Sequence, residues 1–446
     1  RSTIMDCNTR AVLVQACHNS GANTTRCTCD EKNLVVECLC GHAIIHKDFV
    51  ANMQYESPAS LPTPDALSAE HSARVREHLR ARIKRAGGQI SFAEYMQEVL
   101  YAPGLGYYSA GTAKFGAAGD FITAPELSSI FGTVLARQVA EVLQEINAAS
   151  VLELGAGSGK LAVDMLTALE RFNSLPATYR ILEVSADLQA RQKQRILQAL
   201  PHLYDRVHWI SALPQDFEGV VVANEVLDAL PVERFVRQQH AVLQSCVAAQ
   251  GHDFVWTTAP ASERLQAAIA AIETDLGETL IDGYTSEVSL AAPLLIGDLA
   301  KSLKRGAAFF FDYGVSQREY YAPDRSDGWL RCHYRHHAHN NPFLYPGIQD
   351  LTTWVDFSAI ASAAVANDFD LLGYQTQSQF LMGGGLEREM QDFADLPTKS
   401  QLELSGQIKT LTLPGEMGEN FKCIALGCGD IRSPSAFHFA DRTRSL

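Results

Sequence analysis

From residue 150 onward, short and nearly continuous apolar runs alternate with stretches in which apolar residues recur every three or four positions. The runs have the length of buried β-strands, and the stretches between them have the periodicity of amphipathic helices. Because such strands occur where helices cover both faces of a sheet, the pattern predicts an α/β fold with a mostly parallel sheet. Seven core strands are expected, at Val151–Leu154, Tyr179–Val184, Val207–Ile210, Val220–Ala223, Ala307–Asp312, Leu371–Gln377 and Phe421–Leu426.

The residues before this alternation predict a helical N-terminal region over 61–147 that caps the ligand site of the following domain. A charged amphipathic helix over Ala66–Arg85 ends at a pair of glycines. A second helix over Ser91–Leu100 begins with a serine N-cap and a glutamate three residues later. A longer helix is expected at Leu127–Ile146.

Two long excursions interrupt the strand-helix alternation and predict insertions on the substrate side of the sheet. The first insertion is predicted to begin with a hairpin made by Arg234–Val236 and Phe254–Trp256. The predicted boundaries are 148–430 for the main domain, 231–306 and 314–350 for its insertions, and 431–446 for a tail.

The first 60 residues form a Cys-rich extension that differs from the rest of the chain. Six of the ten cysteines lie within the first forty residues. A zinc site is one interpretation, with ligands among Cys27, Cys29, Cys38, Cys40, His42 and His46. The Cys-x-Cys spacing fits structural zinc sites poorly, so we expect a disordered or non-native extension. The remaining cysteines form no disulfide framework, as in a reduced, intracellular protein.

The charge balance narrows the classes of partner. With 37 Lys+Arg and 51 Asp+Glu, the net charge is -14. This balance argues against nucleic-acid or anionic-membrane binding and suits a basic protein or peptide partner. No uninterrupted apolar run reaches the ~18 residues of a transmembrane helix, so no membrane span is expected.

The segment Val151–Lys160 carries the strongest chemical signal, an acidic residue and three alternating glycines after a buried strand. The dinucleotide fingerprint Gly-x-Gly-x-x-Gly would need glycine at position 160, where this chain has lysine. S-adenosylmethionine has no phosphate, and its ammonium group needs an acid such as Glu153. The segment therefore predicts an S-adenosylmethionine site that includes Gly155, Gly157 and Gly159. A nicotinamide site and a tight turn without a ligand are the alternatives.

Acidic residues follow two further strands. Glu183 ends the second strand, where a carboxylate can accept both ribose hydroxyls; the alternative is a helix-capping acid. Asn224, Glu225 and Asp228 follow the fourth strand, where ligands bind in an open α/β sheet. Two carboxylates three residues apart can face one target, and they suit a guanidinium group. In the alternative reading, Glu225 and Asp228 only cap and solvate a helix.

The stretch Cys332–His339 is rich in histidine. His333 and His337 would share one face of a helix and could bind a metal. The neighbouring Arg331 and Arg335 would repel a cation, so we predict no metal and a basic, aromatic loop on the substrate side.

Several motifs resemble those of the MidA family, whose mitochondrial members are methyltransferases in respiratory complex I assembly. The similarity covers about residues 70–430. The matching segments are Tyr101–Ser109, Gly119–Glu126, Leu152–Gly157, Asn224–Pro231, Tyr334–His339 and Tyr345–Asp350.

This resemblance implies a Rossmann-like class I fold with a seven-stranded sheet and S-adenosylmethionine as methyl donor. It also implies a protein arginine as acceptor, converted to symmetric ω-dimethylarginine, and a catalytic-arm subunit of complex I as the target of mitochondrial members. By motif match, Gly155, Gly157, Glu183, Asp120 and Thr123 would line the cofactor site, with Glu225 and Asp228 near the acceptor. We expect the cytoplasm of a bacterium, or the mitochondrial matrix if the source is eukaryotic.

The chemistry of arginine then assigns roles to the acidic residues. Arginine stays protonated far above neutral pH, so a carboxylate must hold it and accept its proton. We assign Glu225 as this base and Asp228 as the residue that orients the guanidinium, with Asn224 beside them. A small-molecule methyltransferase on the same fold and a non-catalytic assembly factor that binds S-adenosylmethionine are the alternatives.

Overall fold

The computed structural model describes residues 61–110, 122–147, 150–239 and 241–446. The proposed zinc ligands between Cys27 and His46, and the predicted cofactor residue Asp120, lie outside the described residues. The chain divides into units 1–52 and 53–446, and every described residue belongs to the second.

Helices and strands alternate along most of the described chain. The strands are β1 (Gln89–Ser91), β2 (Ser150–Leu154), β3 (Thr178–Leu182), β4 (Val207–Ile210), β5 (Phe217–Asn224), β6 (Glu233–Gln238), β7 (Ala241–Gln250), β8 (Asp253–Pro260), β9 (Thr285–Val288), β10 (Leu303–Val315), β11 (Arg331–Tyr334), β12 (His337–His339), β13 (Asp350–Thr352), β14 (Val355–Asp356), β15 (Asp370–Thr376) and β16 (Phe421–Cys428). The α-helices are α1 (Ala66–Arg85), α2 (Phe92–Tyr101), α3 (Ala124–Leu127), α4 (Ser129–Ile146), α5 (Lys160–Arg171), α6 (Ala186–Ala199), α7 (Glu263–Leu276), α8 (Ala292–Ser302), α9 (Gln317–Tyr320), α10 (Phe357–Ala366), α11 (Gln377–Gly383), α12 (Thr398–Thr412) and α13 (Met417–Asn420).

The seven predicted strands form the central sheet, in the order β15-β16-β10-β5-β2-β3-β4, with the short β14 beside β10. Strands β2, β3, β4, β5 and β10 pair in parallel, and β16 runs antiparallel between β10 and β15. The predicted mostly parallel α/β sheet is therefore confirmed. Chain order moves outward from β2 to β4 and then returns to β5 on the other side of β2. Such a reversal opens a crevice at the carboxyl ends of the two central strands.

Alternating side chains of the central strands fill two apolar layers. Strand β5 directs Val220 and Val222 into the layer that contains α4 and α5, and Val221 and Ala223 into the layer that contains α8 and α10. This two-residue period follows from the pleat of a strand. Burying each valine side chain contributes roughly 1.5–3 kcal/mol, so both layers hold the strand ends in place.

The N-terminal helices α1 and α2 pack on the first insertion. Strand β1 pairs with β7 in a second sheet of order β1-β7-β6-β9, with β8 on the other edge of β7. Val75, Phe92 and Met96 of the N-terminal segment lie in one apolar cluster with Val247 and Phe254 of this sheet. Helix α4, in contrast, belongs to the core of the central sheet.

The predicted hairpin of this insertion is wrong. Arg234–Val236 and Phe254–Trp256 lie in β6 and β8, but both strands pair with β7, which separates them. Strand β7 mixes small, polar and apolar residues, and only its middle is buried. Its sequence therefore lacks the nearly continuous apolar run that identified the strands of the central sheet.

The second insertion contains a hairpin in place of the predicted loop. Strands β11 and β12 pair across a two-residue turn at Arg335 and His336, whose φ angles are 49° and 65°. Positive φ at both central residues is the geometry of the tight hairpin turn that matches strand twist. His333 and His337 therefore lie on two strands, and the helix that would have brought them together is absent from this part of the structure. No group of three metal-ligating side chains occurs among the described residues.

The predicted tail packs against the central sheet. Ala436 and Phe437 are buried in the same layer as α4 and α11, and the Asp441 carboxylate accepts the Tyr374 N–H at 3.0 Å. Among the helices of the described residues, none has the length and apolar character needed to cross a bilayer.

Candidate active site

The glycine segment after β2 forms a tight turn that leads into α5. Gly155, Gly157 and Gly159 have φ angles of 61°, 52° and 80°, a region that residues with a Cβ rarely adopt. The Gly155 N–H donates to the Leu182 carbonyl at 3.0 Å, which ties the turn to the end of β3. The three glycines therefore let the chain turn sharply at the sheet reversal, and Gly155 and Gly157 bring bare backbone to the crevice.

A buried glutamine of α6 fixes both the turn and Glu183. The Gln192 Nε2 donates to the Gly157 carbonyl at 2.9 Å and to Glu183 Oε2 at 3.0 Å. The Trp209 Nε1 donates to Gln192 Oε1 at 2.9 Å, and the Ser185 N–H donates to Glu183 Oε1 at 2.9 Å. Both carboxylate oxygens of Glu183 are thus oriented by fixed donors. Sequence reasoning missed Gln192, although a polar residue on the buried stripe of an amphipathic helix was a usable signal.

Glu153, the acid inside β2, is buried at the turn. It accepts the Tyr179 hydroxyl at 2.8 Å. Burial raises the pKa of Glu153 to about 7, although the Tyr179 hydrogen bond opposes the shift. A cation bound beside this carboxylate would favour its ionised form.

The turn after β5 gathers a group of acids. Glu225 has a φ of 53°, and its N–H donates to the Phe311 carbonyl at 2.8 Å. The fully buried Asp312 accepts the N–H groups of Leu227 and Asp228 at 2.9 and 3.2 Å through Oδ2. Asp312 therefore holds the turn that presents Glu225 and Asp228, and sequence reasoning assigned it no role.

Burial perturbs each of these carboxyl groups. It holds the pKa of Glu225 well above its usual value, and the negative charge of Asp228 adds to the shift. Burial also raises the pKa of Asp228 to about 6, although the Tyr313 hydroxyl, which donates to this carboxylate, opposes the rise. Closely spaced buried acids that resist ionisation are suited to a cation or to proton transfer.

A cavity of about 650 Å³ joins the glycine turn to these acids. Of the predicted site residues that the structure describes, all except Gly159 line this cavity: Glu153, Gly155, Gly157, Glu183, Thr123, Asn224, Glu225 and Asp228. Gly159 instead begins α5 and packs against Gln192. Asp120 lies outside the described part of the chain.

Two tyrosines from the N-terminal segment also line the cavity. The rings of Tyr101 and Tyr108 stack with centroids 5.5 Å apart. The Tyr101 hydroxyl donates to the Ala229 carbonyl at 2.8 Å, and the Tyr108 hydroxyl donates to Asp350 Oδ1 at 2.9 Å. Both tyrosines and Asp350 belong to segments with the family-like motifs, but no pattern in those segments predicts that the tyrosines lie near Asp228.

The chemistry of the lining fits S-adenosylmethionine and disfavours a dinucleotide. Glu153 and Glu183 lie on either side of the glycine turn and can accept hydrogen bonds from the ammonium and ribose groups of this cofactor. The polar backbone of the turn lies between the two acids. Lys160 lines the cavity but forms an ion pair with Asp164. A pyrophosphate would therefore face several carboxylates without a free lysine at the turn.

The chain is similar to known methyltransferases over most of its length. A family model for S-adenosyl-L-methionine-dependent methyltransferases matches residues 134–375. The mitochondrial protein arginine methyltransferase NDUFAF7 homolog of Drosophila melanogaster is 30% identical over 406 residues, which cover 83% of this chain and 89% of that protein. The mouse protein arginine methyltransferase NDUFAF7 is 32% identical, covering 78% and 83%. A methyl transferase candidate from Burkholderia thailandensis, solved with S-adenosyl-homocysteine, is 42% identical with a TM-score of 0.81, covering 87% of this chain and 100% of that one.

Proposed function

This chain belongs to the family of S-adenosyl-L-methionine-dependent methyltransferases, and we propose that its methyl acceptor is an arginine side chain of a protein. Family membership confirms the predicted methyltransferase activity and S-adenosylmethionine as methyl donor. The observation that carries the proposed acceptor is the pair of carboxylates, Glu225 and Asp228, that faces the cavity from the turn after β5. Relatives that are named protein arginine methyltransferases support the same acceptor.

The donor would be held by residues that the fold places at the reversal of the sheet. We assign Glu153 to its ammonium group, Glu183 to its ribose hydroxyls, and the Gly155–Gly157 backbone and Thr123 to the surrounding contacts. S-adenosylmethionine supplies a methyl group that is already activated on a sulfonium. The protein therefore contributes mainly alignment and exclusion of water.

The acids beyond β5 would bind the guanidinium and take up its proton. Glu225 holds one edge of the planar cation, directs a nitrogen towards the methyl group and accepts the proton released as the nitrogen is methylated. Asp228 orients the same cation. The position of Asp228 is in turn fixed by the Tyr313 hydroxyl, which donates to its carboxylate, and by Asp312, which accepts its N–H. The raised pKa of Glu225 suits a group that must carry a proton after transfer.

We extend the proposal to the product and the substrate protein. Methylation of each terminal nitrogen in turn would give symmetric ω-dimethylarginine, as the family resemblance implies. The resemblance implies a catalytic-arm subunit of complex I as the target of the mitochondrial members only, and we propose the corresponding subunit as the substrate protein of this chain. The higher identity to a bacterial protein, 42% against 32% for the mouse relative, supports a bacterial cytoplasm over a mitochondrial matrix.

Transfer of labelled methyl groups tests the proposal. The protein is incubated with radiolabelled S-adenosylmethionine and a lysate from a strain that lacks its gene, and the modified residue is located by mass spectrometry. We expect one methyl group on each terminal nitrogen of an arginine. Label in small molecules alone would favour a metabolite acceptor, and donor binding without any transfer would favour a non-catalytic protein.

The base is tested by Glu225→Gln, which keeps the shape of the side chain. Loss of a general base should lower kcat by roughly 10²–10⁴-fold while donor affinity stays near that of the wild type. The control is Glu218→Gln, because Glu218 is exposed at the opposite end of the same strand. A Glu225→Gln protein with normal turnover would refute the assignment.

A further inference from the structure

Three backbone N–H groups around the proposed guanidinium site donate to residues outside the cavity lining. The Glu225 N–H donates to Phe311, and the N–H groups of Leu227 and Asp228 donate to Asp312. Neither Phe311 nor Asp312 lines the cavity. These three N–H groups are therefore unavailable to a bound acceptor group.

The hydroxyl groups of the two cavity tyrosines, Tyr101 and Tyr108, already donate hydrogen bonds within the protein. Tyr101 donates to the Ala229 carbonyl, and Tyr108 donates to the Asp350 carboxylate. A phenol carries one hydroxyl proton, so an oxygen that already donates can only accept from a further partner. Towards any further partner, both oxygens can therefore act only as hydrogen-bond acceptors.

Two buried acceptor atoms at the same end have no partner in the structure. These atoms are Oδ1 of Asp228, a residue that is 4% exposed, and Oδ1 of Asn224. The Asn224 Nδ2 donates to Glu225 Oε1 at 3.1 Å, and this contact fixes which side of the amide faces the carboxylate. A buried acceptor without a donor costs roughly 1–3 kcal/mol, so both atoms favour a ligand that brings N–H groups.

We infer that this end of the cavity selects a cation that only donates hydrogen bonds, and that Tyr108 is a specificity-determining residue. The inference deepens the proposed arginine methylation and rests on it. A guanidinium presents five N–H donors and no acceptor. A urea, amide, carboxylate or ether oxygen would instead place its lone pairs against the oxygens of Asn224, Tyr108 and Asp228. The site therefore discriminates by donor pattern as well as by charge.

Two probes of nearly equal shape test the selection. Ethylguanidinium and ethylurea differ by exchange of an amino group for an oxygen and by the positive charge that is lost with it, so the contribution of the donor pattern is read from the effect of Tyr108→Phe, which leaves the charge of the site unchanged. Their affinities for the protein loaded with S-adenosyl-homocysteine can be measured by NMR titration. We expect ethylguanidinium to bind at least roughly tenfold more tightly, the equivalent of one lost charge-assisted hydrogen bond. Equal affinities, preference for ethylurea or no binding of ethylguanidinium would overturn the inference.

Tyr108→Phe tests the specificity-determining residue. Removal of its acceptor oxygen should weaken ethylguanidinium about tenfold and leave ethylurea and S-adenosyl-homocysteine affinities unchanged. Tyr95→Phe is the matched control, because the buried Tyr95 hydroxyl donates to the Pro342 carbonyl and Tyr95 does not line the cavity. Unchanged selectivity in Tyr108→Phe would remove Tyr108 from the inference.

The two proposals can fail separately. If arginine is labelled in lysate proteins but the two probes bind equally, arginine methylation stands and the donor-pattern selection is wrong. If ethylguanidinium is preferred but no arginine is labelled, the selection stands and the proposed protein substrate is wrong.

Discussion

Gln192→Leu should weaken donor binding and stability together, because one buried amide supports both the glycine turn and Glu183, the acid that we propose for the ribose hydroxyls. Leucine has a similar size but can neither donate to the Gly157 carbonyl and Glu183 nor accept from Trp209. Two of the lost hydrogen bonds are neutral, worth about 0.5–1.5 kcal/mol each, and the one to a carboxylate is worth about 1.5–3 kcal/mol. The free energy of unfolding should therefore fall by about 3–5 kcal/mol.

Donor affinity should fall for a separate reason. Glu183 would keep the Ser185 N–H as a partner but lose the donor that orients its second oxygen. We expect the Kd for S-adenosylmethionine to rise about tenfold, or ~1.4 kcal/mol, in titration calorimetry at a temperature where the variant is fully folded. Urea unfolding with and without S-adenosyl-homocysteine measures the stability change independently.

The control for this variant is Gln194→Leu, on the exposed face of the same helix. A surface substitution of this kind should change stability by no more than about 0.5 kcal/mol. If Gln192→Leu unfolds earlier but the folded protein binds the donor normally, Gln192 is a packing residue and the positioning of Glu183 by its amide is refuted.

Three further predictions concern the same cavity. Because burial raises the pKa of Glu153 to about 7, the carboxylate is largely protonated below that pH. The affinity for S-adenosylmethionine should therefore fall from pH 8 to pH 6 in titration calorimetry, and Glu153→Gln should remove this pH dependence. Asp312→Ala leaves two buried N–H groups without their acceptor and should cost about 2–4 kcal/mol in urea unfolding; an unchanged midpoint would contradict that role. Gly155→Ala and Gly251→Ala both place a Cβ at positive φ, so each should lower the free energy of unfolding by about 1–2 kcal/mol. Only Gly155→Ala should also weaken donor binding, because Gly155 lines the cavity whereas Gly251 lies in an open turn.

The central sheet was predictable because its signal is local. Its central strands β2 and β5 are buried on both faces, so their apolar runs are visible without knowledge of their neighbours. Strand β7 escaped prediction for the opposite reason: its burial depends on α1 and α2, which are distant in the chain. The alternative of a helix through His333 and His337 is wrong, because β11, which contains His333, pairs with β12 and β13.

The residues of the candidate site likewise fall into a group that local sequence patterns predict and a group that depends on long-range contacts. Glu153, Gly155 and Gly157 are contiguous with a strand, and Glu183 and Glu225 end strands, so their place at one edge of the sheet followed from topology. Gln192 reaches the turn from 35 residues away. Asp312 and Asp350 reach their partners from 84 and 242 residues away, and no periodicity in the sequence reports such contacts.

The two ends of the cavity depend on different parts of the fold. The donor end is built by the central sheet and α6, whereas the proposed acceptor end needs Tyr101 and Tyr108 from the N-terminal segment. That segment is fixed to the second insertion by long-range contacts, since the Tyr95 hydroxyl donates to Pro342 and the Arg76 guanidinium donates to Phe343 and Leu344. Because these contacts lie outside the central sheet, changes there can alter acceptor selection while leaving the donor end in place. We therefore expect acceptor range to depend on how the N-terminal helices meet the insertions, and donor binding to depend on the sheet reversal.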